Sequence, residues 1–215
     1  MMQTNIEAEP FSAAIRAASW AAHGDAEQAP YLTALTSGEL DRRGYADLAA
    51  QHLAAYAVLE AAAEAMADDP VAGPFVDRAL TRVPSLHRDL EALLGPSWAD
   101  ELRPSAATEA YCDRMHEVCF DWPGGFVAHH YVRYMGDLSG GQMLRGTIER
   151  VYGIDATSGT AFYDFPDLVD IPAFKDAYRA RLDAAPWDAE ERTRITEEIL
   201  LAYRHNTDVL RELGT

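Results

Sequence analysis

Apolar residues recur three and four apart along the chain and never alternate as a strand requires, so the pattern predicts helices throughout. Phe11, Ile15, Ala18 and Ala22 trace the stripe of a first helix over 11–23. Residues 28–40, around Pro30 and Gly38, read as loop and short turns. Asp41 stands as the N-cap of a long helix running to about Ala67, with Leu48, His52, Tyr56 and Leu59 facing inward. Pro70 and Pro74 interrupt the pattern. Ser85 opens a short helix that Gly95 closes, and Ser105 opens another carrying Tyr111, Met115 and Val118. After a break over 121–125, a central helix runs to Tyr152, with Gly153 as its stop. Pro172 occupies the N1 position of the next helix. The last begins with a capping box, Asp188 to Glu191, and presents Ile195, Ile199, Ala202, Asn206 and Leu210 inward before ending near Leu213. The predicted fold is all-α, a single compact bundle of about seven to eight helices over 11–215, preceded by a disordered segment, 1–10.

One stretch breaks the helical logic. Tyr134-Met135-Gly136-Asp137-Leu138-Ser139-Gly140-Gly141-Gln142 lies inside the central helix, and each of its three glycines costs roughly 1 kcal/mol relative to alanine. At α-helical spacing Gly136 and Gly140 share a face with Ser139 beside them, leaving backbone on which a flat ligand can lie. A lone GxxxG more often marks close helix packing. Asp137, next to the bare face, and Arg133, one turn earlier, point instead to a site.

Composition narrows the field. A formal charge of −17 over 215 residues argues against nucleic acid or an anionic membrane as partner. Lys175 is the single lysine. Cys112 and Cys119 lie two helical turns, about 10.5 Å, apart, too far for a disulfide within one helix, so they read as reduced, buried hydrophobes. The first ten residues lack the pattern of a signal peptide, and no apolar run approaches membrane-spanning length. The expectation is a cytoplasmic, soluble monomer.

The candidate chemistry falls into three groups. His23 on the first helix has a carboxylate, Glu27, four residues on, placed to orient the imidazole if the helix continues past Gly24. The bare glycine face carries Asp137. Basic side chains occur at Arg16, seven residues before His23, and at Lys175 and Arg179, with Tyr131 as a possible neighbour. His129 and His130 diverge by about 100° on a helix and cannot share a metal ion. A haem fits all three groups: iron on His23, the macrocycle on Gly136 and Gly140, propionates on the basic groups.

The run Val127-Ala128-His129-His130-Tyr131-Val132-Arg133-Tyr134, followed by Met135-Gly136-Asp137-Leu138-Ser139-Gly140-Gly141-Gln142, resembles the signature of the haem oxygenases, particularly the soluble bacterial ones. The likeness extends from about Phe11 to Leu213. It implies that His23 is the proximal iron ligand with Glu27 as its supporting carboxylate. Arg16, Tyr131, Lys175 and Arg179 match propionate contacts, and Gly136, Ser139 and Gly140 the haem-contacting face. Tyr56, Tyr111, Arg133, Asp137 and Asn206 match a distal polar network in which Asp137 holds a water that delivers protons. Haem would be both cofactor and substrate, opened at the α-meso carbon by O2 to biliverdin, carbon monoxide and Fe2+. Electrons would come from NAD(P)H through a separate reductase or a ferredoxin, in the service of haem degradation and iron acquisition. Arg16 stands where lysine is common, Trp20 where animal members carry a second basic residue, and Met135 where leucine is usual. Three other readings stay open on the residues: a haem carrier or sensor, a thiaminase-like or quinone-cofactor enzyme on the same helical fold, and a scaffold without ligand.

Overall fold

The computed structural model describes residues 9–214; the side chains of residues 23 and 25–27 also lie outside the described residues. The segment expected to be disordered, 1–10, therefore falls mostly outside them. Nine helices and no strand occur among the described residues: α1 (Phe11–Glu27), α2 (Pro30–Ser37), α3 (Arg42–Met66), α4 (Val83–Leu94), the single turn α5 (Trp98–Glu101), α6 (Ala106–Val118), the central α7 (123–152), α8 (Ile171–Ala184) and α9 (Ala189–Leu213).

Two elements differ from the sequence reading by existence. The stretch expected as loop holds α2, which Pro30 starts without losing a needed N–H and Gly38 ends in the left-handed region at φ 78°. The four-residue α5 is too short to leave a periodic signal. Others differ in detail. Gly24 does not stop α1, which continues to Glu27. Its buried stripe is Phe11, Ile15 and Ser19, and Ala18 is exposed. Helix α4 starts at Val83, with Pro84 in its first turn, and Ser85 lies inside it. The caps at Asp41, Ser105 and Asp188 form as expected, each side chain accepting an N–H of the first turn. The box at Asp188 is not reciprocal, because the Glu191 carboxylate accepts instead from Trp122 Nε1.

Helix α9 is the spine, packing on α1, α2, α3, α6 and α7. Its Ile195, Ile199, Ala202 and Leu210 enter a core that includes Tyr56 and Leu59 of α3 and Phe126 and Val127 of α7. Burying such side chains contributes roughly 1.5–3 kcal/mol each before entropy is counted. Polar ties set the helices around the central one. Asp183 of α8 accepts from Ser12 N at 2.7 Å and Ser12 Oγ at 2.9 Å, supplying the negative charge that the first turn of α1 lacks. His130 Nδ1 lies 2.9 Å from Tyr178 Oη, joining α7 to α8. Cys112 and Cys119 are free thiols.

Candidate haem site

Helix α7 changes character where the glycines are. From Tyr131 to Met135 and again from Asp137 to Gly141 its backbone takes the wider π winding, rare elsewhere and frequent at functional sites. The expected face of Gly136 and Gly140 was drawn at 3.6 residues per turn, and this segment is wider. Side chains donate to carbonyls in and beside this segment. Gln142 Nε2 donates to Asp137 O at 3.1 Å and to Tyr163 O at 3.0 Å. Lys175 Nζ donates to Leu138 O at 3.2 Å and to Ser139 Oγ at 2.9 Å. The glutamine that closes the motif thus has a structural reason to stand there.

A cavity of about 440 Å³ opens on this segment, within the range of cofactor and substrate pockets. Arg133, Gly136, Asp137, Gly140 and Asn206 line it, with His52 of α3, Leu32 of α2 and Tyr203 of α9 among the others. A Cβ built on Gly136 would meet nothing within 4 Å, so the backbone there faces open space.

Behind the lining stands a charged network. Tyr56 Oη donates to Asp137 Oδ2. Burial raises the Asp137 carboxyl to about 6, against the pull of Arg133, the Tyr56 hydrogen bond and Arg82. Arg133 Nη1 donates to Asn206 Oδ1 at 2.7 Å, and Nη2 to His52 Nδ1 at 2.7 Å. Because a guanidinium only donates, His52 Nδ1 must be a bare acceptor; burial, helped by Arg133, lowers the pKa of that ring. Burial would discharge Arg133, but Tyr56, Tyr111 and Asp137 outweigh it and keep it charged. Tyr111 is buried with its hydroxyl unpaired. The five side chains of the expected distal network therefore converge, and His52, read in the sequence only as part of an inward stripe, joins them. Its position four residues before Tyr56 was the available signal.

The expected propionate contacts lie elsewhere around α7. Burial raises the pKa of Tyr131, opposed by Arg179 of α8 and Arg16 of α1, which are therefore within electrostatic reach of it. Lys175 is close enough to Arg179 that desolvation and this neighbour lower its pKa. Arg179 also pairs with Asp176 at 2.7 Å in an exposed contact. None of these four lines the cavity. The side chains of His23 and Glu27 lie outside the described residues; their backbone belongs to α1, whose continuation past Gly24 keeps the spacing of the two helical. His129 and His130 diverge as expected, His129 Nε2 to Glu198 at 3.0 Å and His130 to Tyr178. No group of three or more metal-binding side chains occurs among the described residues. The open backbone at Gly136 and the cavity beside it, with Arg133, Asp137 and Asn206 on its wall, fit a flat group laid against α7.

An all-helical bundle with a glycine-opened helix along a mainly apolar cavity that carries a few buried polar groups defines a binding protein for a flat, largely apolar ligand. The chain belongs to the heme oxygenase family, whose model matches residues 9–212. It is 32% identical over 201 residues to a heme oxygenase of Rhodella violacea, covering 94% of this chain and 86% of that one. It is 34% identical over 191 residues to heme oxygenase 1 of Synechocystis sp., covering 89% and 79%. The crystal structure of Synechocystis heme oxygenase-1 in complex with heme superposes with a TM-score of 0.89 at 32% identity, over 95% of this chain and 92% of that one. A TenA homologue from P. horikoshii OT3 superposes with a TM-score of 0.71 at 13% identity, a likeness of fold alone.

Proposed function

We propose that this chain is a haem oxygenase that opens haem at the α-meso carbon, using O2 and electrons from NAD(P)H delivered by a separate reductase or a ferredoxin, and releases biliverdin, carbon monoxide and Fe2+. Haem is its substrate and, while bound, supplies the oxygen chemistry. The observation that carries this reading is Asp137: a half-buried carboxylate, hydrogen-bonded by Tyr56, on the wall of a cavity over which α7 presents open backbone. A carrier needs no such group.

In this reading His23 would hold the haem iron and Glu27 would orient its imidazole. Arg16, Tyr131, Lys175 and Arg179 receive the propionates, Lys175 leaving Ser139 to do so. Gly136, Ser139 and Gly140 admit the macrocycle and limit the space above it, which directs attack to one meso position. Asp137, held by Tyr56, keeps a water at the reacting side and passes protons through it. Arg133 balances that carboxylate, and Asn206 and His52 hold Arg133 in place. Tyr111 completes the network. The protein works as a monomer of the cytoplasm, where Cys112 and Cys119 stay reduced; none of its helices among the described residues is long and apolar enough to cross a membrane.

The test is a haemin titration followed by ascorbate or a reductase system in air. Formation of a Soret band and its replacement by the biliverdin spectrum is the expected course. A Soret band that persists through reduction would make the protein a carrier, and no Soret band would remove haem from the account.

A further inference from the structure

Among the described residues, three buried side-chain polar atoms lack a hydrogen-bond partner: Tyr111 Oη, His129 Nδ1 and Arg133 Nε. They are not scattered. His129 and Arg133 stand four apart on α7. The Tyr111 and His129 rings lie 5.5 Å apart between centroids, and Tyr111 is within electrostatic reach of Arg133 and Glu198. His205 stacks on the Tyr111 ring at 5.4 Å and 7°, fixing its plane. Grouped, buried, unpaired polar atoms are what an internal water satisfies.

Their neighbours dictate who donates. Glu198 accepts from Arg114 Nε at 3.0 Å and lies 3.0 Å from His129 Nε2. Burial works against its charge, but the hydrogen bonds from His129 and Arg114 outweigh it and hold the carboxyl at about 2. An ionised carboxylate only accepts, so the proton of the ring sits on Nε2. Burial also lowers the pKa of His129, so the ring is neutral and Nδ1 is left as an acceptor. Arg133 Nε only donates. A water that accepts from Arg133 Nε and donates to His129 Nδ1 keeps one hydrogen and one lone pair for Tyr111 Oη.

We propose that His129 is a positioning residue for the reaction site: clamped by Glu198 and Arg114 as the Nε2–H tautomer, it holds through Nδ1 an internal water that ties Tyr111 to Arg133 and so fixes the place of the guanidinium whose hydrogen bonds reach the cavity at Asn206 and His52. Its consequence for turnover rests on the haem oxygenase reading; the tautomer and the water do not.

Two substitutions separate the halves of the ring. His129→Gln keeps an N–H that can reach Glu198 and offers no acceptor at Nδ1. His129→Asn offers an acceptor near Nδ1 and gives up Glu198. Nitrogen NMR of the protein without haem should show His129 neutral with its proton on Nε2, and a high-resolution crystal structure should show an ordered water within hydrogen-bond distance of Nδ1 and of Tyr111 Oη or Arg133 Nε. In the loaded enzyme His129→Gln should lower kcat on the order of tenfold, less than the 10²–10⁴ of losing an acid–base group outright because the Asp137 path remains, and should change the solvent isotope effect. His129→Asn should keep most of the rate, and KM for haem should not move in either. A proton on Nδ1, a charged ring, the absence of that water, or a Gln variant as fast as wild type would overturn the assignment, as would Gln and Asn variants impaired alike. If His129→Gln does not fold, the tautomer and the water in the wild type decide. If the wild type binds haem without turnover, the oxygenase reading fails while both ligand-free measurements still test His129.

Discussion

Replacing Asp137 with asparagine should make the protein more stable and slower together. Burial holds the Asp137 carboxyl at about 6 against an ordinary 3.8, a difference of about 2 pKa units or about 3 kcal/mol. The sign follows from where the proton is held more tightly. The folded state binds it better than the unfolded chain, so ionising Asp137 costs nothing below about pH 4, increasingly more between 4 and 6, and its full amount above. The shift already includes what Arg133 and Tyr56 return. Asp137 also touches the cavity, whose water offsets part of the burial, so about 2–3 kcal/mol is the expected ceiling. Asparagine keeps the shape and never ionises. Denaturant unfolding across pH should therefore give nearly matching stabilities near pH 3.5 and a variant more stable by up to about 2–3 kcal/mol at pH 7–8. Biliverdin formation should show an acid limb near pH 6 in the wild type, lost with much of the rate in the variant. A stability difference that does not change with pH, or a wild type more stable than the variant at pH 8, would refute the claim that this carboxylate is held ionised at a cost.

Tyr56→Phe removes the donor that lowers the Asp137 pKa, so the acid limb of the rate should move to higher pH; a limb that stays in place counts against the bond's role. Gly136→Ala meets no atom within 4 Å, so it should leave the melting temperature unchanged or raise it, with a gain of up to about 1 kcal/mol, while weakening haemin binding in a Soret titration. Gly125→Ala should do the reverse, losing about 1–3 kcal/mol whether or not haem is present, because its methyl would sit 2.5 Å from Trp122 Cε3 and 2.6 Å from Val118 O. Replacing both Lys175 and Arg179 with alanine should alter the isomer composition of the biliverdin more than the affinity for haem, checked by chromatography of the product; an unchanged composition would remove them from the propionate site.

The long helices and their caps were legible because each signal is local: an Asp or Ser that reaches its own first turn, a glycine that takes φ 64° at Gly153. Helix α2 was not, since eight residues with a proline at the start and two threonines carry too little periodicity to outweigh Pro30 and Gly38 as turn signals. The bare stretch at Gly136 announced a site, but the π winding was invisible, because no propensity scale distinguishes it and the groups that serve its carbonyls include Lys175, 37 residues from Leu138. The partners of Tyr56 and Asn206 likewise needed tertiary structure: a tyrosine on α3 meets Asp137, and an asparagine on α9 meets Arg133. Residue types could nominate those side chains; only the crossing of three helices pairs them. Glu191 shows the opposite failure, a good local motif whose glutamate was drawn away by Trp122.

The central claim is that haem is opened within the site and not merely held or bleached, and carbon monoxide decides it most directly. Haem-loaded protein should be reduced in air in the presence of catalase, with the gas trapped on ferrous myoglobin and biliverdin measured in the same vessel. One carbon monoxide and one biliverdin for each haem consumed, unchanged by catalase, is the predicted result. Loss of haem absorbance without carbon monoxide, or a yield that catalase abolishes, would contradict the account.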